Sequence, residues 1–392
     1  MEASNFIKAI GKNDDRIMIM SNFPKKILLV QLFSNGDCLY ATTVAKQIKN
    51  DFPGSHLTWA IATSCKSMII DNPYVDEVIE VNIARNDVSA FRIFKKQVHQ
   101  QKKDGQYDEV FITQIMDTNL AFYDGTIRGN TLKAYPHPIT VSVQPVLVLK
   151  EEELAKAKQF AIDHNFSGYK NIILFEFAPQ SGQSVITKDI AISIAEHLTN
   201  NKDTAIILSS ANKITHPALS IIDGSILSIR ETAALTHHCT FLLGTSSGIT
   251  WISTSTGAKL LPMVQLLNPY TNWVNPISRD FERYKIPDDK VIELLHFDEP
   301  SIITCVNMAM NDFPEAKKQF NQPIPLHFTT TKQIVYNLIC YLEFGAIIKH
   351  IQVNKAVYGN NRFFYGAVIT GIVTAPFKLV KNIFLKRILV KK

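Results

Sequence analysis

Residues Lys26–Gly54 read KILLVQLFSNGDCLYATTVAKQIKNDFPG. The apolar run Lys26–Leu32, bounded by Pro24 and by Ser34-Asn35-Gly36, has the pattern of a strand buried on both faces. A helix is predicted from about Cys38 to Asn50, stopped by the Pro53-Gly54 turn. Outward from this unit, strands are predicted at His56–Ala62, Glu77–Val81 and Asp108–Thr113, with helical segments at Lys66–Asp71 and Ser89–Lys103 between them. Strands alternating with helices imply a parallel sheet with crossover helices on its faces.

After an irregular stretch, Asp117–Val143, and a charged helix, Glu151–Asn165, the same beat resumes. Asn171–Phe177 (NIILFEF) reads as a second buried strand, followed by the small-residue loop Pro179–Ser184 and a helix at Lys188–Asn200. Ala205–Ser209, a helix at Arg230–His237, the strand Thr240–Leu243, the loop Gly244–Gly248, a helix to about Thr256 and the strand Lys259–Val264 complete it. Two successive α/β units are expected, joined near residue 166. Helical patterns then take over, through Ala309–Phe320 and Thr331–His350.

The chain has 392 residues, of which 46% are hydrophobic and 19% charged, enough for extended cores and unlike a disordered chain. Its five cysteines are scattered and never spaced CxxC, which supports neither a disulfide framework nor a structural zinc site and points to a reducing compartment. No signal-peptide core precedes the first strand, so a cytoplasmic location is expected. The net charge of +6 is uneven: after Glu343 there are nine Lys or Arg and no acid, so the body before it is net negative. That argues against a nucleic-acid surface on the body. Phe363–Phe377 is fifteen residues without a charge, too short to span a bilayer and ended by Pro376. Beyond it Phe377, Val380, Phe384 and Ile388 share one helical stripe among lysines, the pattern of a segment lying on an anionic membrane surface. A final helix packed on the body with solvated lysines is the alternative.

Three loops sit where a parallel strand hands over to a helix, the place where open α/β sheets bind ligands. In Ser34-Asn35-Gly36-Asp37 the glycine permits close approach, and Asp37 faces the crevice or serves as the helix N-cap. Ser181, Gly182 and Ser184, with Lys188 one turn on, supply hydroxyls, N–H groups and a cation for a diphosphate, or form an ordinary connection; the Walker spacing is absent. Gly244-Thr245-Ser246-Ser247-Gly248 matches GxSxG. It is either a nucleophile elbow with Ser246, an acid at Asp280 or Asp288 and a base at His296 or His327, or a turn that offers N–H groups to an anion. His164, His197, His237 and His238 need only solvation. With no HExxH, EF-hand or DxD pattern, no metal is expected.

Together, three segments resemble the inverting ADP-heptose:lipopolysaccharide heptosyltransferase family, glycosyltransferase family 9. They are the opening strand, loop and helix with the following strand; Asn72-Pro73-Tyr74-Val75-Asp76-Glu77-Val78-Ile79; and Ile229-Arg230-Glu231-Thr232-Ala233-Ala234-Leu235 with LLGTSSGITWISTSTGAK. Asn268-Pro269-Tyr270 takes the place of a post-strand "GPT" loop. The resemblance runs from about Lys26 to Tyr270, in order and spacing.

The resemblance implies a GT-B architecture, two doubly wound Rossmann-like domains facing a central cleft, with a helical basic C-terminal tail. The expected division is an acceptor domain at 1–165, a nucleotide-sugar domain at 166–310, helices at 311–350 and a membrane-associating tail at 351–392. It implies Asp37 as general base, Ser34, Asn35 and Gly36 at the acceptor, and Ser181, Gly182, Ser184, Lys188, Gly244, Ser246, Ser247 and Gly248 at the donor. The implied activity is metal-independent inverting transfer, without a cofactor, from a nucleotide sugar to a glycan or lipid-linked acceptor in lipopolysaccharide or surface-glycan synthesis. The expected place is the cytoplasmic face of the inner membrane. Ser246 stands where the family has Asp and Trp251 where it has His, so ADP-heptose is not carried over as donor. A serine hydrolase and a non-catalytic sugar-nucleotide or glycan-binding relative remain as alternatives.

Overall fold

The computed structural model describes residues 24–85, 87–178, 184–270 and 276–389, with side chains to residue 378. Ser181 and Gly182 therefore lie outside the described residues, as do the side chains of Val380, Phe384 and Ile388.

The first half begins β1 (Lys26–Val30), α1 (Asn35–Asp51), β2 (His56–Ile61), β3 (Glu77–Glu80), α2 (Val88–Lys103) and β4 (Glu109–Ile112). Its described strands form a four-stranded parallel sheet in the order β3-β2-β1-β4. β1 is central, and Ile27, Leu28, Leu29 and Val30 are all buried, as a strand covered on both faces requires. The segment expected to be irregular holds a helix, α3 (Ile127–Lys133), started by Thr126, whose hydroxyl accepts from the Gly129 amide at 3.1 Å.

The second half comprises α4 (Glu151–Asp163), β5 (Asn171–Glu176), α5 (Lys188–Thr199), β6 (Thr204–Ser209), β7 (Ile221–Asp223), α6 (Ile229–Leu235), β8 (Phe241–Gly244), α7 (Gly248–Ile252), β9 (Met263–Leu266), α8 (Ile277–Arg283), β10 (Val291–Leu294), α9 (Glu299–Asn311) and α10 (Phe313–Phe320). Its sheet has six described strands, all parallel, in the order β10-β9-β8-β5-β6-β7. α4 buries Ala157, Phe160 and Ala161 against Leu174 and Ile207 of this sheet, although it precedes the join expected at 166.

Three helices close the chain: α11 (Thr329–Cys340), α12 (Phe344–Tyr358) and α13 (Arg362–Leu389). The expected helix Thr331–His350 is two helices, because Leu342 turns the chain at φ 60°. α13 runs through Pro376 instead of ending there. Proline deprives the Ile372 carbonyl of its helical partner, and both residues are exposed, so water can replace the lost bond. These helices return to the first half: Ile334, Val335, Leu338, Ile347 and Phe364 pack with Tyr123, and Asn354 donates to the Tyr123 carbonyl at 2.9 Å.

Two ion pairs join the halves. Asp124, fully buried, accepts from Arg283 of α8 at 2.5 Å and from Lys133, while its other oxygen takes the Thr126 hydroxyl at 2.9 Å. Arg128 of α3 lies 3.1 Å from Asp280 of α8, and its guanidinium stacks over Tyr40 and Tyr284. Removing one member of a buried pair strands the other charge. Asp124→Ala is expected to cost about 3–5 kcal/mol in urea unfolding; a loss below 1 kcal/mol would show that Arg283 finds water instead.

Candidate functional site

The loop after β1 is held from beneath. The Gln114 side-chain oxygen accepts the amides of Leu32 and Phe33, each at 2.9 Å, as the chain leaves the strand. Ser34 then adopts φ 69°, a left-handed conformation costly for a residue with a Cβ. Its hydroxyl receives a 3.3 Å hydrogen bond from Arg85, which stands in the loop after β3.

α1 begins three residues earlier than the sequence suggests, with Ser34 as N-cap, so Asp37 lies inside the first turn and does not cap the helix. Among the described residues nothing hydrogen-bonds to its carboxylate or pairs with it. The residue is half-buried. Burial lifts its pKa from 3.8 to about 7, against the pull of Arg85 and with a smaller push from Cys65. A Cβ on Gly36 would meet nothing within 4 Å, so open space adjoins the aspartate. The side-chain oxygen of Asn35 is buried and unpaired. The Cys65 thiol is drawn down to about 7, chiefly by a hydrogen bond with Cys38.

One turn on from Asp37, Tyr40 meets Trp251 of α7 edge to face, ring centroids 5.6 Å apart. The Trp251 indole donates to the Ser246 carbonyl at 3.1 Å. Trp251 thus ties the 244–248 loop to the helix that carries Asp37. Ser246 repeats the positive φ of Ser34, at 53°.

The 244–248 loop and the start of α7 are held by side chains of the chain itself. Glu176, at the end of β5, is buried and accepts the amides of Ile249 at 2.8 Å and Thr250 at 3.1 Å and the Thr250 hydroxyl at 2.7 Å. The α7 N–H groups expected to meet an anionic ligand are therefore already bound to a carboxylate of the chain itself. Ser246 N–H donates to Gln265 at 2.7 Å. Gly244 lies under Thr250 and Gln265, where a Cβ would sit 2.4 Å from the Thr250 hydroxyl. Ser246 and Ser247 are buried and Gly248 is half-buried. The half-buried Ser184 hydroxyl accepts from the Ile186 amide at 3.0 Å, and Lys188 is exposed at the start of α5.

No hydrolytic triad assembles among the described residues. Asp280 pairs with Arg128 and Asp288 with Lys317, while His296 and His327 are exposed. Nor do three His, Cys, Asp or Glu side chains converge as metal ligands among the described residues. A cavity of about 560 Å³ opens between α8 and the end of α12, lined by Arg279, Arg283 and Tyr358; Asp37, Lys188 and Ser246 do not border it. The sequence reading missed Arg85, Tyr40 and Glu176. The first was within reach, since the crevice rule applies to the loop after every parallel strand.

No family model matches the chain, and no curated protein matches it by sequence. Among solved structures, a family 9 glycosyltransferase from Veillonella parvula aligns at 17% identity and TM-score 0.50, over 70% of this chain and 88% of its own. The E. coli ADP-heptose lipopolysaccharide heptosyltransferase II aligns at 12% identity and TM-score 0.49, over 74% and 99%. A UDP-N-acetylglucosamine 2-epimerase, putative by its own description, from Listeria monocytogenes aligns at 9% and 0.45, over 82% and 97%.

The raised Asp37 pKa carries a stability signature. Between pH 3.8 and about 7 the folded chain holds a proton that the unfolded chain releases, so stability falls as pH rises through that window. Asp37→Asn is expected to melt higher than wild type above pH 7, with the difference vanishing toward pH 4; parallel melting curves across the range would remove the burial argument.

Proposed function

We infer that the GT-B fold, two parallel α/β halves with α1, whose first turn holds Asp37, lying against the second half, serves glycosyl transfer. We propose that the chain is a metal-independent inverting glycosyltransferase with Asp37 as general base. The observation that carries this is the Asp37 carboxylate, half-buried at the carboxyl end of the central strand, unpartnered among the described residues and beside the open space at Gly36. A pKa of about 7 suits a base that must be ionised yet basic near neutrality.

In the reaction the acceptor hydroxyl loses its proton to Asp37 as its oxygen bonds to the anomeric carbon of the donor sugar. The bond from that carbon to the diphosphate oxygen breaks on the opposite face, which inverts the configuration. The nucleoside diphosphate leaves with the bonding electrons. Since Glu176 occupies the α7 terminus, we assign the leaving group's charge to Lys188 and Ser184, with Ser246, Ser247 and Gly248 at the sugar. Arg85 and Ser34 flank the acceptor side, with Asn35 and Gly36. The acceptor we assign is a glycan or lipid-linked sugar of lipopolysaccharide or another surface glycan, met at the cytoplasmic face of the inner membrane.

Asp37→Asn is expected to lower transfer roughly 10²-fold or more while nucleotide-sugar binding persists. Measured against a panel of nucleotide sugars, near-wild-type turnover in that variant would remove the base, and binding without turnover in the wild type would favour a non-catalytic relative. The wild-type rate should rise with pH and level off above about 7. Gly36→Leu, which fills the open space, should raise the acceptor KM and leave the melting temperature unchanged; an unchanged KM would place the acceptor elsewhere.

A further inference from the structure

α13 docks on α11 through Phe364, Val368, Gly371 and Ala375, spaced four, three and four residues apart and all buried. The helices approach so closely at Gly371 that a Cβ there would lie 2.9 Å from Val335. At 100° per residue the opposite face carries Ile369, Val373 and Phe377, which are 60%, 57% and 75% exposed. Phe363 and Ile372 beside them are 65% and 46% exposed. α13 is thus apolar on both faces over this length, and only one face has a protein partner. A soluble helix puts polar residues on its outer face, and a contiguous apolar face of this kind marks an interaction surface.

The charge identifies the occupant. From Phe344 to the end of the sequence there are nine Lys or Arg and no Asp or Glu, while the part before is net negative. Arg362 precedes the apolar stripe on the same helical face, and Lys378, whose ammonium lies over the Tyr336 ring of α11, follows it. A second copy of this chain would set two cationic ends against each other, whereas an anionic lipid surface complements both the charge and the apolar stripe. No helix among the described residues is long and apolar enough to cross a membrane, which fits a helix that lies in the interface.

We propose that α13 is an in-plane membrane-docking helix, which inserts Ile369, Val373 and Phe377 into the interface of an anionic bilayer while Arg362 meets the lipid phosphates and the net positive tail is drawn to the surface. This goes beyond the assignment of glycosyl transfer and does not depend on it. The test is sedimentation of the full chain with vesicles of phosphatidylglycerol and phosphatidylcholine, compared with phosphatidylcholine alone. Binding is expected to be at least roughly tenfold tighter to the anionic vesicles and to weaken as salt rises. The triple variant Ile369→Ser, Val373→Ser, Phe377→Ser should bind at least roughly tenfold more weakly with an unchanged melting temperature, because these side chains are exposed. Equal binding to both vesicle types, wild-type binding by the triple variant, or a dimer in solution that the triple variant dissolves while vesicles sediment nothing would each overturn the proposal. Replacing only Phe377 by Ser, with a smaller loss in the same direction, guards against misfolding of the triple variant.

Discussion

Four charges at the junction of α3 and α8 fix how the halves meet. Asp124 with Arg283, and Arg128 with Asp280, cross from the first half to the second; Asp124, Arg128 and Asp280 are buried, while Arg283 borders the cavity beside α8. The two pairs are unequal. Asp124 collects partners from three directions, whereas Arg128 and Asp280 lie close but poorly aligned, leaving atoms of both without a hydrogen bond. Burial accordingly pushes Asp280 up to about 6, despite the arginines that hold it down. Charges at this depth gain little net stability but disfavour other arrangements, because every displaced partner is left desolvated. The Tyr40–Trp251 contact, and with it the distance between the Asp37 helix and the 244–248 loop, depends on that junction.

Two carboxylates at strand ends then take opposite roles for local reasons. Glu176 is surrounded by amides and a hydroxyl that point at it, so the N-terminus of α7 is organised around the chain's own anion. Asp37 has a helix start beside it but caps nothing, since Ser34 takes the N-cap position and Gln114 takes the amides before it. One carboxylate is fully engaged; the other has no hydrogen-bond partner among the described residues.

Much of this was legible in order and spacing. The run Lys26–Val30 and its echo Asn171–Glu176 announce buried parallel strands. What escaped depended on distant partners. β10 is interrupted by Glu293, which reads as a surface residue until it is found accepting the Ile277 amide at the start of α8. α8 lacks a capping signal of its own for the same reason. β7 is three residues long, too short for a periodic pattern. Glu176 sat inside an apparently apolar run, and nothing local says that its partners lie more than 70 residues away. Pro376 leaves α13 continuous, with the Ile372 residue it deprives of a partner exposed to solvent.

The return of the C-terminal helices has a mechanical consequence. The backbone passes from the first half to the second between α3 and α4, then passes back between α10, which packs on the second half, and α11, which packs with Tyr123. Two passages define a line about which the halves can swing, while a single passage would leave them free to swivel. α12, latched to Ala121 and Tyr123 by His350 and Asn354, thereby belongs with the half that precedes it by some two hundred residues.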